Sequence, residues 1–259
     1  MKLTSHKSSL RLRQGTLAFT MVEVALSLAI IAFAIVAVIG ILPTGMQVQR
    51  DNREQTIINQ DGQFILEVIK NGMTNVNVLA QNLEWIESYT NIPPSTVVGL
   101  EGRYQRSDLL NATIATNVLA YRIAGILSTP RFVIDTNTPS GYVSNWVQAK
   151  FVANSGPLAD RLTEDPVRGT RDFAFSYLVT VDIAPMILST NYMTNSGADV
   201  SAAFQANLYN LRVNLSWPVY PNNTVGNGRK SFQSIVSGKL ERDINGFFRF
   251  RPNEFTGLP

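Results

Sequence analysis

The sequence predicts an α+β protein: a long N-terminal helix, transmembrane in its first half, packed on an antiparallel β-sheet domain. Three observations predict it. From Phe19 to Leu42 every residue is apolar or small except Thr20, Glu23 and Ser27. A helix there, at about 1.5 Å per residue, reaches roughly 36 Å, more than the ~30 Å of a bilayer's hydrocarbon core. Directly behind it, apolar residues recur at helical spacing, and further on two segments alternate apolar and polar residues with the period of a strand.

The first eighteen residues read as a basic leader. They hold Lys2, Lys7, Arg11 and Arg13 and no acid, so the formal charge of +3 becomes +3 − 4 = −1 without them. The pI near 9.2 is therefore largely a property of the leader, and the remainder offers no cationic excess for nucleic acid. Cations ahead of the span place residues 1–18 in the cytoplasm and send the chain after residue 45 across the membrane. A hydrophobic share of 45% with 16% charged residues excludes a disordered chain.

Within residues 19–42 the carboxylate of Glu23 needs an explanation. A charged side chain in a span costs on the order of 3 kcal/mol on insertion scales and marks a functional site by default. A helix N-terminus offsets part of that cost. An α-amino group at Phe19, created by a cut after Ala18, would be a full positive charge.

Residues 43–72 read as an amphipathic continuation. Pro43-Thr44-Gly45 predicts a kink or short helix break at Pro43 and Gly45, since proline removes a backbone donor and glycine adds freedom. Ile57, Ile58, Phe64, Ile65, Val68, Ile69 and Met73 mark a face in need of a partner, and Asn71-Gly72 reads as the stop.

Residues 73–259 read as an extracytoplasmic β-rich domain. "DFAFSYLVTVDI" sets Phe173, Phe175, Tyr177, Val179 and Val181 on one face, and "NLYNLRVNLSWPVY" does the same with Tyr209, Leu211, Val213, Leu215 and Trp217. "KSFQSIVSGKL" completes a hairpin with the latter across a loop longer than the tightest turns, since Asn222-Asn223 and Gly226-Asn227-Gly228 are all turn formers. "SNWVQAKFVAN" alternates Val147, Ala149 and Phe151. "NLEWIESY" suits a short helix or an edge strand, and "TNVLAYRIAGIL" a helix or a strand. The tail "GFFRFRPNEF" suits a last strand returning to the sheet, with an exposed subunit contact as the alternative.

The block "AFTMVEVALSLAIIAFAIVAVIGILP" resembles the N-terminus of type IV pilins and type II secretion pseudopilins: a short basic leader, a cleavage point, then Phe-Thr-aliphatic-aliphatic-Glu and a long apolar helix. With "ILPTG" and the Trp-Pro strand, the chain looks most like the prepilin-like cassette proteins of Verrucomicrobia-type bacteria. The resemblance implies a single-pass inner-membrane protein with a cytoplasmic N-terminus and a periplasmic C-terminal domain. It implies a prepilin peptidase cutting between Ala18 and Phe19, N-methylation of Phe19, and a role for Glu23 in neutralising a neighbour's N-terminal amine during assembly. The implied partners are other pilin or pseudopilin subunits, the inner-membrane assembly machinery and the lipid bilayer. The sequence departs from the pattern in having Ala18 where the family usually has glycine; a cut after Gly15 would make Glu23 the eighth residue instead of the fifth.

Two other readings of the N-terminus compete. A secretory signal would be cut after Ala32-Phe33-Ala34 and leave an apolar end. An uncleaved single-span anchor carrying a binding or enzymatic module accounts for everything except Glu23.

Little catalytic chemistry is available. There are no cysteines, and His6, the only histidine, lies in the leader, so Ser-His-Asp and Cys-His catalysis and His- or Cys-based metal sites are not expected of the mature chain. No phosphate-cradling glycine motif occurs. Glu84 with Glu87, or Glu164 with Asp165, are candidate acid–base pairs that read better as solvated acids. The Asp and Asn residues around 135–137 and 195–199 lack calcium-loop spacing and read as turns. Trp85, Trp146 and Trp217 suggest a sugar platform, although Trp217 sits on the inward-facing side of its strand. The expectation is a structural protein without enzymatic activity, cofactor or metal.

Overall fold

The computed structural model describes residues 19–71, 79, 82–92, 98–105, 116–134, 137, 140–153, 175–187, 200–244 and 246–256. The chain divides into two compact units, through Asn52 and from Arg53 onward.

Helix α1 (Met21–Lys70) runs through Pro43 without interruption, which corrects the break, one of the two forms expected at Pro43 and Gly45. The proline costs one N–H donor and crowds the carbonyl four residues back. Apolar helices of membrane type commonly accommodate such a proline. A Cβ at Gly45 would meet nothing within 4 Å, so no close approach calls for glycine there. The predicted stop holds: α1 ends at Lys70, and the Asn71 N–H closes on the Glu67 carbonyl at 2.9 Å.

In the second unit, Ile57, Ile58, Ile65, Val68 and Ile69 of α1 are buried as the periodicity requires, joined by Asp61, Gly62 and Leu66. Met73 lies outside the described residues. This face covers an antiparallel sheet of β1 (Leu83–Asn91), β2 (Val98–Gln105), β3 (Phe132–Ile134), β4 (Tyr142–Val152), β5 (Ser176–Pro185), β6 (Leu208–Val219) and β7 (Val225–Ser237). The order is β2-β1-β4-β5-β6-β7, with β3 also paired to β4. Two short helices, α2 (Thr116–Leu127) and α3 (Val200–Asn207), and a separate ribbon of β8 (Lys239–Arg242) and β9 (Phe248–Arg251) complete the described elements.

The period-two pattern fixes the core. Val147, Ala149 and Phe151 face the same side as Tyr177, Val179, Val181 and Ile183, and as Leu211, Val213, Leu215 and Trp217; all are buried. Register carries the face across strands, as in Ala149↔Val179↔Leu215. Phe175 stays partly buried against this core, and Phe173 lies outside the described residues. Trp217 is core.

Three ambiguous segments acquire definite form. "NLEWIESY" is strand β1 and "TNVLAYRIAGIL" is helix α2, whose Ile123, Ala124, Ile126 and Leu127 are buried. The tail forms β9, which pairs with β8 and not with the main sheet, burying Phe250 against Tyr209. The β6–β7 hairpin has the expected loop longer than the tightest turns, between Val219 and Val225, but Gly226-Asn227-Gly228 belongs to β7 and not to that loop. Those glycines serve close packing: a Cβ at Gly228 would come within 2.4 Å of the Trp217 indole, and one at Gly226 within 2.6 Å of Pro218 Cδ.

Candidate functional site

The start of α1 is built from Thr20 and Glu23. Thr20 precedes the first helical residue, and its Oγ1 accepts the Glu23 N–H at 3.3 Å while its carbonyl accepts the same N–H at 3.0 Å. Thr-x-x-Glu at a helix start is a capping-box sequence. Glu23 therefore has a local role that its membrane cost does not suggest: it is the third helical residue, where the helix dipole favours an acid. Among the described residues its carboxylate is exposed and has no hydrogen-bonding or charged partner. Ser27, the other polar residue here, donates its hydroxyl to the Val24 carbonyl at 2.9 Å and so hides its polarity in the helix.

The apolar residues around them are uncovered. Phe19 is 79% exposed, and Met21, Val22, Leu26, Phe33, Val36 and Ile41 are all exposed. By length and composition α1 is able to cross a membrane, and none of its apolar stretch is buried. Of the residues predicted to matter, Phe19 and Glu23 stand four apart at this end. Ala18 lies outside the described residues, and Pro43 and Gly45 lie within the helix.

The second notable group lies where α1 meets the sheet. Asp61, only 2% exposed, accepts a hydrogen bond from the Tyr177 hydroxyl at 3.0 Å. Burial, then the charge and hydrogen bond of Asp61, push the Tyr177 hydroxyl well above its ordinary pKa of 10.0. Beside Asp61, a Cβ at Gly62 would fall 2.2 Å from the Phe232 ring. Lys230 donates to Asn59 one turn earlier. These contacts hold the helix to β5 and β7.

The candidate acid–base pair Glu84 and Glu87 is engaged elsewhere. Lys150, itself nearly buried, holds Glu84 at 2.9 Å. Arg103 holds Glu87 at 3.1 Å, and the Tyr89 hydroxyl donates to Glu87 at 2.5 Å. That hydrogen bond is the largest cause of a raised Tyr89 pKa. The two carboxylates are thus each held by a cation of its own, and not set together as a shared acid and base. Glu164 and Asp165, and residues 195–199, lie outside the described residues. Among the described residues no three metal-ligating side chains cluster.

The fold and this site define an α+β protein with a long apolar N-terminal helix and an antiparallel sheet. No known family profile, no curated protein and no solved structure matches the chain.

Proposed function

We propose that the protein is a structural subunit of a type IV pilus-like or pseudopilus filament. The apolar part of α1 holds it in the inner membrane with the sheet domain on the periplasmic side. A prepilin peptidase cuts between Ala18 and Phe19, Phe19 is N-methylated, and the subunit then assembles with other pilin or pseudopilin chains. Its work is assembly, without catalytic turnover.

One observation carries the reading. An uncovered apolar helix begins with a single unpartnered carboxylate, Glu23, four residues from Phe19, and continues into a half that packs on an antiparallel sheet. In a membrane or filament a carboxylate in that position gains from a positive partner, and a neighbour's Phe19 amine has the right charge.

The test separates processing from assembly. Glu23→Gln keeps the helix cap's backbone bonds and the insertion-competent span, so maturation to an N-methylated Phe19 should proceed, measured by mass spectrometry of the N-terminal peptide. Incorporation into sheared or cross-linked filaments should fall at least tenfold. Normal incorporation of this variant overturns the role of Glu23, and a mature chain that still begins at Met1 supports the single-span anchor instead.

A further inference from the structure

The sheet face turned away from α1 carries a group of aromatic side chains that the core does not use. Register places Asn91 opposite Ser144 across β1 and β4, and Phe132 opposite Ser144 across β3 and β4. Directly opposed residues share a face, so the three form one row. Trp146 and Tyr142 lie two residues to either side of Ser144 on β4, on the same face. Tyr89 stands opposite Trp146, its ring 5.4 Å away and tilted by 32°, and Phe132 meets Tyr142 edge-on at 5.9 Å.

Trp146 is 51% exposed, Phe132 47% and Tyr142 42%. The small Ser144 therefore lies in a trough bordered by rings, and the Cα atoms of Trp146 and Tyr142 are about 13 Å apart along the strand. That length suits a chain of rings better than a single one.

Charge narrows the ligand. Glu87 is paired with Arg103 at 3.1 Å and Asp182 with Arg131 at 3.5 Å, while the Arg131 guanidinium also sits 5.3 Å over the Phe132 ring. Among the described residues these cations are thus already matched, which does not favour a phosphate or polyanion. What remains is flat ring surface with hydroxyl and amide groups among it. Rings that offer a flat apolar face while hydroxyls and amides serve the rim suit a ligand with apolar faces and a hydroxylated edge.

We infer that this trough binds a neutral polysaccharide strand, its sugar faces stacked on Trp146 and Tyr142. The site does not depend on filament assembly, so its test uses dispersed protein. The full chain, held in a zwitterionic detergent free of sugar headgroups, is co-sedimented with insoluble cellulose, xylan and mannan, with pectate as an acidic control. Retention is expected on at least one neutral polymer, at least tenfold weaker for Trp146→Ala and for Tyr142→Ala, and largely restored in Trp146→Phe, which keeps a flat ring. Coincident thermal unfolding of the variants and the parent checks that folding is intact. The proposal is overturned by retention on none of the neutral polymers, by retention on pectate alone, or by retention that Trp146→Ala and Tyr142→Ala leave unchanged. It is equally overturned if Trp146→Ala changes only the oligomeric state, which would assign this face to a second copy of the chain.

Discussion

At the scale of single residues, Asp61 shows how one buried acid commits a helix to a sheet. It is 2% exposed and takes the Tyr177 hydroxyl at 3.0 Å, so removing that hydroxyl leaves a buried carboxylate with one fewer donor. Tyr177→Phe is expected to cost about 1–3 kcal/mol near neutral pH, measured by denaturant unfolding. The pH dependence has a definite sign. Because burial and Asp61 raise the Tyr177 pKa in the folded chain, the unfolded chain loses this proton first, above about pH 10. The contribution is fully present below that pH and is lost as pH rises further. Thermal stability should therefore decline above about pH 10, and less steeply in Tyr177→Phe; an equal decline in both chains would count against the pair. None of this was legible in the sequence, where Asp61 looks like the polar side of an amphipathic helix and its partner lies 116 residues away. The Thr20 cap is legible in the sequence, since Thr and Glu three apart at the start of an apolar run are the pattern of a capping box.

At the scale of elements, strands were read well where alternation is strict and badly where glycine intervenes. β5 and β6 follow their period-two patterns because each has one face on the core. Gly226-Asn227-Gly228 looked like a turn because glycine and asparagine are turn formers, yet here glycine makes room for the side chains of the strand opposite. Gly228→Ala would place a methyl 2.4 Å from the Trp217 indole; the expected loss is about 1–3 kcal/mol. Gly62→Ala, 2.2 Å from the Phe232 ring, should cost a similar amount despite alanine's better helix propensity. Both are measured as shifts in the denaturant midpoint at unchanged slope. The ambiguity of "TNVLAYRIAGIL" had a different source: a short, almost wholly apolar run fits a buried strand or a buried helix equally well until its neighbours are known.

At the scale of the whole molecule, the boundary between the two compact units falls inside α1, between Asn52 and Arg53. The helix is thus a shared element, apolar and uncovered in one unit and half-buried in the other. A chain beginning at Arg53 keeps Ile58, Ile65, Leu66 and Ile69 on the sheet and should remain soluble without detergent, with a single cooperative unfolding transition. A chain beginning at Asn71 strips those side chains from the core, at about 1.5–3 kcal/mol for each large apolar residue, and should aggregate; light scattering of the two distinguishes them. The Thr20 cap bears on the other end of the molecule. A cut after Ala18 would fall outside the hydrogen bonds that start α1, because the residue that terminates the helix backbone there is already the second of the shortened chain. Maturation at that bond would therefore require no refolding of the first turn: the new terminus would inherit a helix whose opening is self-contained, ready to engage a neighbour without first winding itself.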